Sequence, residues 1–288
     1  MLPTTNETAA GRPRITFAIP YYSNSGYLLE AIRSVQAQTV DDWDVIVVDD
    51  AGPEPIVGVI AELGDPRIRS VRNDVNLGLA ANWNRCIQLA SAALVTLLHA
   101  DDRLAPGYAA AVLAAAERDP ELAAIFTDAT IIGTDGLGAR SLPDAMKRLA
   151  RRPAHDHDVQ GDDGLASMLA NNYVFCPTLC YRTASLVDHP FADRWRMVMD
   201  LDHTAQMLLH GLRLHGVRAP LYEYRRHDSN QTSSLTASAI RFEEELALYR
   251  QLATAARRIG WLRSARTADR RLMVRSHLAL QALVDLAG

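Results

Sequence analysis

Short unbroken apolar runs alternate with apolar positions at helical spacing along the first third of the chain. Arg14 to Pro20 (RITFAIP) and Trp43 to Asp50 (WDVIVVDD) are rich in β-branched residues and give way at once to polar, turn-forming residues. That is the pattern of strands buried on both faces. Between them, Tyr27, Leu28, Ala31, Ile32 and Val35 recur at the spacing of one helix face, after the capping candidates Ser23, Asn24 and Ser25. The alternation predicts a further strand at Arg67 to Asn73, a helix from Leu79 to Ser91, a strand at Ala93 to Leu98 and an Ala-rich helix beginning near Pro106. Repeated βα units imply a Rossmann-like, doubly wound and largely parallel sheet. Ligands bind such sheets beyond the carboxyl ends of the strands, so Tyr21 to Ser23, Asp49 to Gly52 and His99 to Asp102 are expected to share one crevice.

The second half is less regular. Apolar runs at Ala124 to Ile132, Tyr173 to Tyr181 and Leu214 to Tyr224, with a helix around Leu201 to His210, predict mixed strand pairing in a smaller sheet. From Gly133 to Gly164 the chain is rich in Gly, Pro, Asp, His and Arg without periodicity, the signature of a lid or a disordered loop. After Ser238, helical patterns at Ile240 to Ile259 and Ser264 to Leu286 predict a C-terminal helical hairpin with Gly260 as the stop between them. Its apolar faces could serve a homodimer or peripheral membrane contact, although faces at this spacing most often cover a core.

Composition narrows the classes. A chain of 288 residues, 48% hydrophobic and 22% charged, is an ordinary globular protein rather than a disordered, collagenous or coiled-coil one. With 30 basic and 34 acidic side chains the net charge is 30 − 34 = −4, which gives no general attraction for nucleic acid. Cys86, Cys176 and Cys180 lack both a disulfide framework and paired CxxC units. The first residues are polar, without the apolar core of a signal peptide, and the longest apolar run, Leu89 to Leu98, is too short to span a bilayer. A cytoplasmic location is the expectation.

The strand ends carry the chemistry. A nucleotide diphosphate-sugar needs an aromatic face for its base, a carboxylate near base or ribose, and a divalent cation for the diphosphate. Tyr22 can stack, Asp50 can accept hydrogen bonds, and Asp101 with Asp102 offers the hard oxygens that Mg²⁺ or Mn²⁺ prefers. Taken singly, Tyr22 is equally well a rim residue, Asp50 a turn former and Asp102 a helix cap. A dinucleotide-dependent dehydrogenase is disfavoured because no G-x-G-x-x-G follows the first strand. His155-Asp156-His157-Asp158 looks like a metal cluster but sits in the irregular segment, without a scaffold to fix ligand geometry.

The ordered segments AIPYYSNSGYLLEAIRSVQAQT, DVIVVDDAG, NDVNLGLAANWNRCIQLA and LVTLLHADDRLAPG resemble the inverting family 2 glycosyltransferases, which have the GT-A fold. The resemblance is close over Ile15 to Gly107 and looser to Thr232. It implies an α/β GT-A catalytic domain at 14–235, with a nucleotide-binding half (14–105) and an acceptor half (106–235), between a flexible N-terminus (1–13) and a C-terminal helical extension (236–288). It implies Pro20, Tyr22 and Asp50 at the base and ribose, and Asn76 and Asn84 lining the nucleotide pocket. Asp101 and Asp102 match the DxD-type element that binds metal and sugar diphosphate, with His99 where the first Asp often stands and Ser23 replacing a frequent Asn.

In the second half, Met199-Asp200-Leu201-Asp202 matches the segment holding the family's catalytic base. The resemblance puts Asp200 in that role, with Met199 in place of the usual Glu. Tyr224-Arg225-Arg226-His227 resembles the Tyr-Arg-x-His element, where His227 would approach the metal or diphosphate and Arg225 and Arg226 could neutralise phosphate oxygens. Trp195, Arg196 and Met197, just before Asp200, are acceptor-site candidates.

The resemblance thus implies transfer of a sugar from a nucleotide-sugar donor, UDP- or dTDP-linked, to a glycan, lipid-linked or natural-product acceptor, with Mn²⁺ or Mg²⁺ as cofactor. One carboxylate and one metal suffice for such an inverting transfer, because a metal-neutralised diphosphate leaves without an acid to protonate it. Met199 and His99 keep open a binding module that has lost catalysis. A sugar-phosphate nucleotidyltransferase of similar fold would carry a Gly-rich loop after the first strand, and that loop is missing here.

Overall fold

The computed structural model describes residues 12–138, 153–227, 240–271 and 275. Strands β1 (Ile15–Tyr21), β2 (Trp43–Asp49), β3 (Ile68–Arg72) and β4 (Leu94–Leu97) form a parallel block in the order β3-β2-β1-β4. The helices between them are α1 (Ser25–Gln36), α2 (Val57–Glu62) and α3 (Leu79–Leu89). Side chains alternate across a strand, so successive residues of β1 and β2 enter different cores. Ile15, Phe17, Ile19, Val45 and Val47 pack with α1 and with α4 (Tyr108–Arg118), while Ala18, Ile46 and Val48 pack with Trp83 and Ile87 of α3. Burial on both faces is why these strands read as continuous apolar runs.

Beyond β4 the pairing becomes mixed within the same sheet. Strand β8 (Cys180–Arg182) is antiparallel to β4 and to β6 (Leu122–Ile132), and β6 runs parallel to the long β9 (Arg213–Arg225). The short strands β5 (Arg103–Leu104) and β7 (His157–Val159) pair antiparallel with opposite ends of β9. The smaller mixed portion is thus continuous with the parallel half. Its function is positional: β9 carries Tyr222 to His227 across to the end of β4.

The irregular stretch from Gly133 is more structured than its composition suggests. Residues 139–152 lie outside the described residues, but β7 and the start of helix α5 (Gly161–Asn171) fall inside the stretch expected as lid or disordered loop. Two short helices follow, a 3-10 turn at Cys176–Thr178 and α6 (Thr183–Asp188), before α7 (Met199–Leu209).

The C-terminal pair is α8 (Ile240–Arg258) and α9 (Leu262–Arg270), joined through Gly260 at φ +81°, a conformation glycine adopts without strain. The apolar face of α8 covers core: Leu248, Tyr249, Leu252 and Ala253 are buried, and the Tyr249 hydroxyl donates to the Leu169 carbonyl at 2.9 Å. The second helix was expected to run to Leu286, and the part from residue 276 lies outside the described residues, as do residues 1–11. Among the described residues no helix is long and apolar enough to cross a membrane. All three cysteines are buried free thiols.

Candidate active site

The ends of β1 and β2 are stitched together. Asp50 N–H donates to the Tyr21 carbonyl at 2.8 Å, and Gly52 passes so close to Tyr22 that a β-carbon there would lie 1.7 Å from its carbonyl oxygen. Only glycine allows that crossing. Tyr22 is left 53% exposed with its ring open to solvent, beside the partly buried Pro20.

The Asp50 carboxylate is buried and already has three donors: Asn73 Nδ2 (2.9 Å) and Leu77 N (2.8 Å) on Oδ1, and Gly78 N (3.0 Å) on Oδ2. It winds the 73–78 loop and keeps one lone pair for a further donor. Asn76 is exposed in that loop, with its Oδ1 accepting from Gly78 N at 3.0 Å. The Asn84 amide exchanges two 2.9 Å hydrogen bonds with the backbone of Phe191, so it clamps the segment leading to α7.

The two acids after β4 have different environments. Asp102 is fully buried, accepting from the Tyr222 hydroxyl (2.8 Å) and Arg225 N (2.7 Å), with His99 Nδ1 3.6 Å away. Burial, then the neighbouring Asp101 charge, pushes its carboxyl well above the usual range. Asp101 is partly exposed, and its Oδ2 lies 2.9 Å from His227 Nε2. His99, Asp101 and Asp102 each offer a ligand atom within 4.8 Å of the others. His99 Nε2 is buried without a hydrogen-bond partner, and desolvation lowers the pKa of its ring. An accessible carboxylate facing an imidazole, with a second imidazole and a second carboxylate offering ligand atoms close by, is a donor set that fits a divalent cation such as Mn²⁺. Asp101 is the accessible acid of the pair; Asp102 anchors β9 beneath it.

Arg225 needs correction. Its side chain is 1% exposed, with Nε donating to the Asp101 carbonyl (2.8 Å), Nη2 on Glu30 (2.5 Å) and the guanidinium 4.5 Å from the Tyr27 ring. It ties α1 to the metal loop and does not present its charge to a phosphate. The Tyr27 ring also lies 5.6 Å from that of His227.

Asp200 stands at the start of α7, partly buried, with Oδ1 accepting from Leu201 N at 2.7 Å. It lines a cavity of about 30 Å³ with Asn172, Val174, Cys176 and Thr204, where desolvation raises its pKa. Asp202 is buried and occupied by Trp195 Nε1 (2.7 Å), Arg194 (2.6 Å) and Gln206 (2.9 Å). Trp195, expected at the acceptor, is therefore 9% exposed and held inward by its indole N–H. Arg196 is exposed and Met197 partly buried.

A run of ring contacts links His99 to the helix that carries Asp200. Trp83 packs on His99 (5.2 Å between ring centroids) and on Phe191 (5.1 Å), and Phe191 stacks on His203 of α7 (4.2 Å). Separately, Tyr224 of β9 meets Phe175 edge-on at 5.0 Å, next in sequence to Cys176 of the Asp200 cavity.

The His155–Asp158 motif holds structure instead. Asp156 accepts from Arg218 N (2.7 Å), Asp158 pairs with His215 (2.6 Å), and His157 packs on Phe126 and Tyr173. Tyr27, Glu30 and Tyr222 were missed as site residues. Tyr27 and Glu30 lie three apart on one face of α1, but Tyr27 read as core spacing, and only the fold reveals their partner on β9.

Fold and site together define a GT-A glycosyltransferase architecture. The family profile described as "Glycosyl transferase family 2" matches residues 16–168, more than half of the chain, so this chain belongs to glycosyl transferase family 2. It is similar to the succinoglycan biosynthesis protein ExoO of Rhizobium meliloti, 28% identical over 141 residues, 49% of this chain and 40% of that protein. The chain spans 39%, 13% and 37% of the lengths of three other curated relatives. Among solved structures it resembles TarS 1-349 of S. aureus in complex with UDP-GlcNAc (TM-score 0.66, 17% identity, 83% of this chain and 66% of that one). It also resembles the mannosyltransferase PcManGT of Pyrobaculum calidifontis in complex with GDP-Man and Mn²⁺ (TM-score 0.61, 15% identity, 96% of this chain and 81% of that one).

Proposed function

We propose that this protein transfers a sugar from a nucleoside diphosphate-sugar to an acceptor hydroxyl with inversion, using Asp200 as base and a divalent cation held by Asp101 and His227 with His99 beside them. The observation that carries the reading is the 2.9 Å approach of Asp101 to His227 at the ends of β4 and β9, next to His99, whose ring is linked through Trp83 and Phe191 to the helix that carries Asp200. The bound nucleotide-sugars and Mn²⁺ of the two fold neighbours support the donor class and the cofactor. When bound, the cation would neutralise the charge of the departing diphosphate.

The remaining work falls to the chain. Tyr22 offers its ring to the base, and Asp50 has the loop around it fixed and one acceptor site left. Asp200 takes the proton from the acceptor hydroxyl as its oxygen bonds to the anomeric carbon and the bond from that carbon to the diphosphate breaks. Desolvation strengthens it as a base, because burial favours the protonated form. Donor turnover tests the reading: Asp200→Asn is expected to lower kcat by about 10²- to 10⁴-fold with donor KM little changed. Full activity in that variant would reject the mechanism.

A further inference from the structure

The start of α7 has no cap of its own. Its N-cap residue is Val198, whose side chain can accept no hydrogen bond, and within the first turn Leu201 N is taken by Asp200 Oδ1 itself. The turn that leads into the helix is held from the C-terminal helix pair. Glu244 of α8 takes Met197 N at 2.7 Å, Val198 N at 3.3 Å and Arg196 N at 3.0 and 3.1 Å on its two oxygens. One carboxylate thus collects three consecutive backbone N–H groups immediately before Met199 and Asp200. Its charge also sits where the positive end of the α7 dipole lies. Glu244 falls beyond the residues 16–168 matched by the family profile.

We infer that Glu244 is a positioning residue for Asp200: the C-terminal helix pins the turn that leads into α7 and presents the base, and places a negative charge at the positive end of that helix. This rests on the reading of Asp200 as the base. The negative charge matters because the bare end of a helix stabilises a carboxylate placed on it and so weakens it as a base. The other ionisable groups facing Asp200 are Arg241 and Glu245 of α8, and Cys176 and Tyr181 from the turn and strand below. Arg241 Nε donates to Glu245 Oε1 at 2.9 Å, so these two opposite charges face Asp200 together, while the Glu244 carboxylate sits on the amides just before the helix.

The test compares wild type with Glu244→Gln, Glu244→Ala and the exposed neighbour Glu243→Gln. Glu244→Ala should speed amide exchange at residues 196–198 by about tenfold and lower kcat while donor KM stays within about twofold. Glu244→Gln keeps an acceptor oxygen and loses the charge. It should largely preserve exchange protection and move the acidic limb of the kcat profile down by about half a pH unit, the size of a helix-terminus interaction. Glu243→Gln should match wild type throughout. Unchanged exchange in Glu244→Ala overturns the inference whether or not turnover is measurable, and so does an acidic limb that stays in place in Glu244→Gln. Wild type that neither binds nor turns over nucleotide-sugar while the exchange result holds would instead overturn the function proposed for Asp200 and leave the brace on the turn before α7 standing.

Discussion

Asp101 and Asp102 are adjacent in sequence and opposite in circumstance. Asp102 is enclosed by a phenol and a backbone amide from β9, more than a hundred residues away, while Asp101 keeps an oxygen toward His227. The pair was legible as candidate metal chemistry from its place after a buried strand. The division between a bracing acid and an accessible one was not, because it depends on where β9 ends. Arg225 and Trp195 follow the same logic: each has a side chain able to bind substrate, and each is held inward by a partner the sequence does not announce. Removing the phenol isolates the bracing role. Tyr222→Phe is expected to cost about 1–3 kcal/mol, the penalty for a buried carboxylate that loses a hydrogen-bond donor. Urea unfolding measures it, and a change near zero would mean that Asp102 does not depend on the Tyr222 hydroxyl.

At the scale of elements, the alternation of buried runs and helix-spaced positions gave the parallel block, its helices and the convergence of three strand ends. The strands were readable because both faces are covered, which removes polar interruptions. Less was legible after Leu122, where short strands pair across long sequence separations and β7 and α5 begin inside a segment without periodicity. Asn84 shows the limit well: its hydrogen bonds hold Phe191 in the run of ring contacts that reaches α7, and nothing near it in sequence announces that partner. The turn after β2 is the most constrained joint of the site. Gly52→Ala would place a methyl group inside the van der Waals radius of the Tyr22 carbonyl, so it should destabilise the fold by about 2 kcal/mol or more and displace Tyr22. A thermal melt indistinguishable from wild type would contradict the described crossing.

Across the whole molecule, one buried histidine links the core to pH. His203, 5% exposed and stacked on Phe191, has its pKa pushed down to about 4, first by burial. Because the folded value lies below the unfolded one, the unfolded chain binds more protons between pH 6.5 and 4, and stability falls as pH falls through that window. His203 should contribute a loss of about 2 kcal/mol from pH 7 to pH 5, read as the difference between wild type and His203→Asn in urea unfolding over that interval. Equal losses in both proteins would remove His203 as the cause. At this scale α8 and α9 are part of the catalytic domain's structure, since α8 covers its core and reaches the turn before Asp200.

The account as a whole assigns donor anchoring to Asp101 and proton removal to Asp200, as separable functions within one braced site. The most direct measurement is the thermal shift given by UDP-, dTDP- and GDP-sugars with Mn²⁺ or with EDTA, in wild type, Asp101→Asn and Asp200→Asn. The account expects an Mn²⁺-dependent rise in Tm with one donor class that persists in Asp200→Asn and disappears in Asp101→Asn. An undiminished Mn²⁺-dependent rise in Asp101→Asn, or its loss in Asp200→Asn alone, would contradict it.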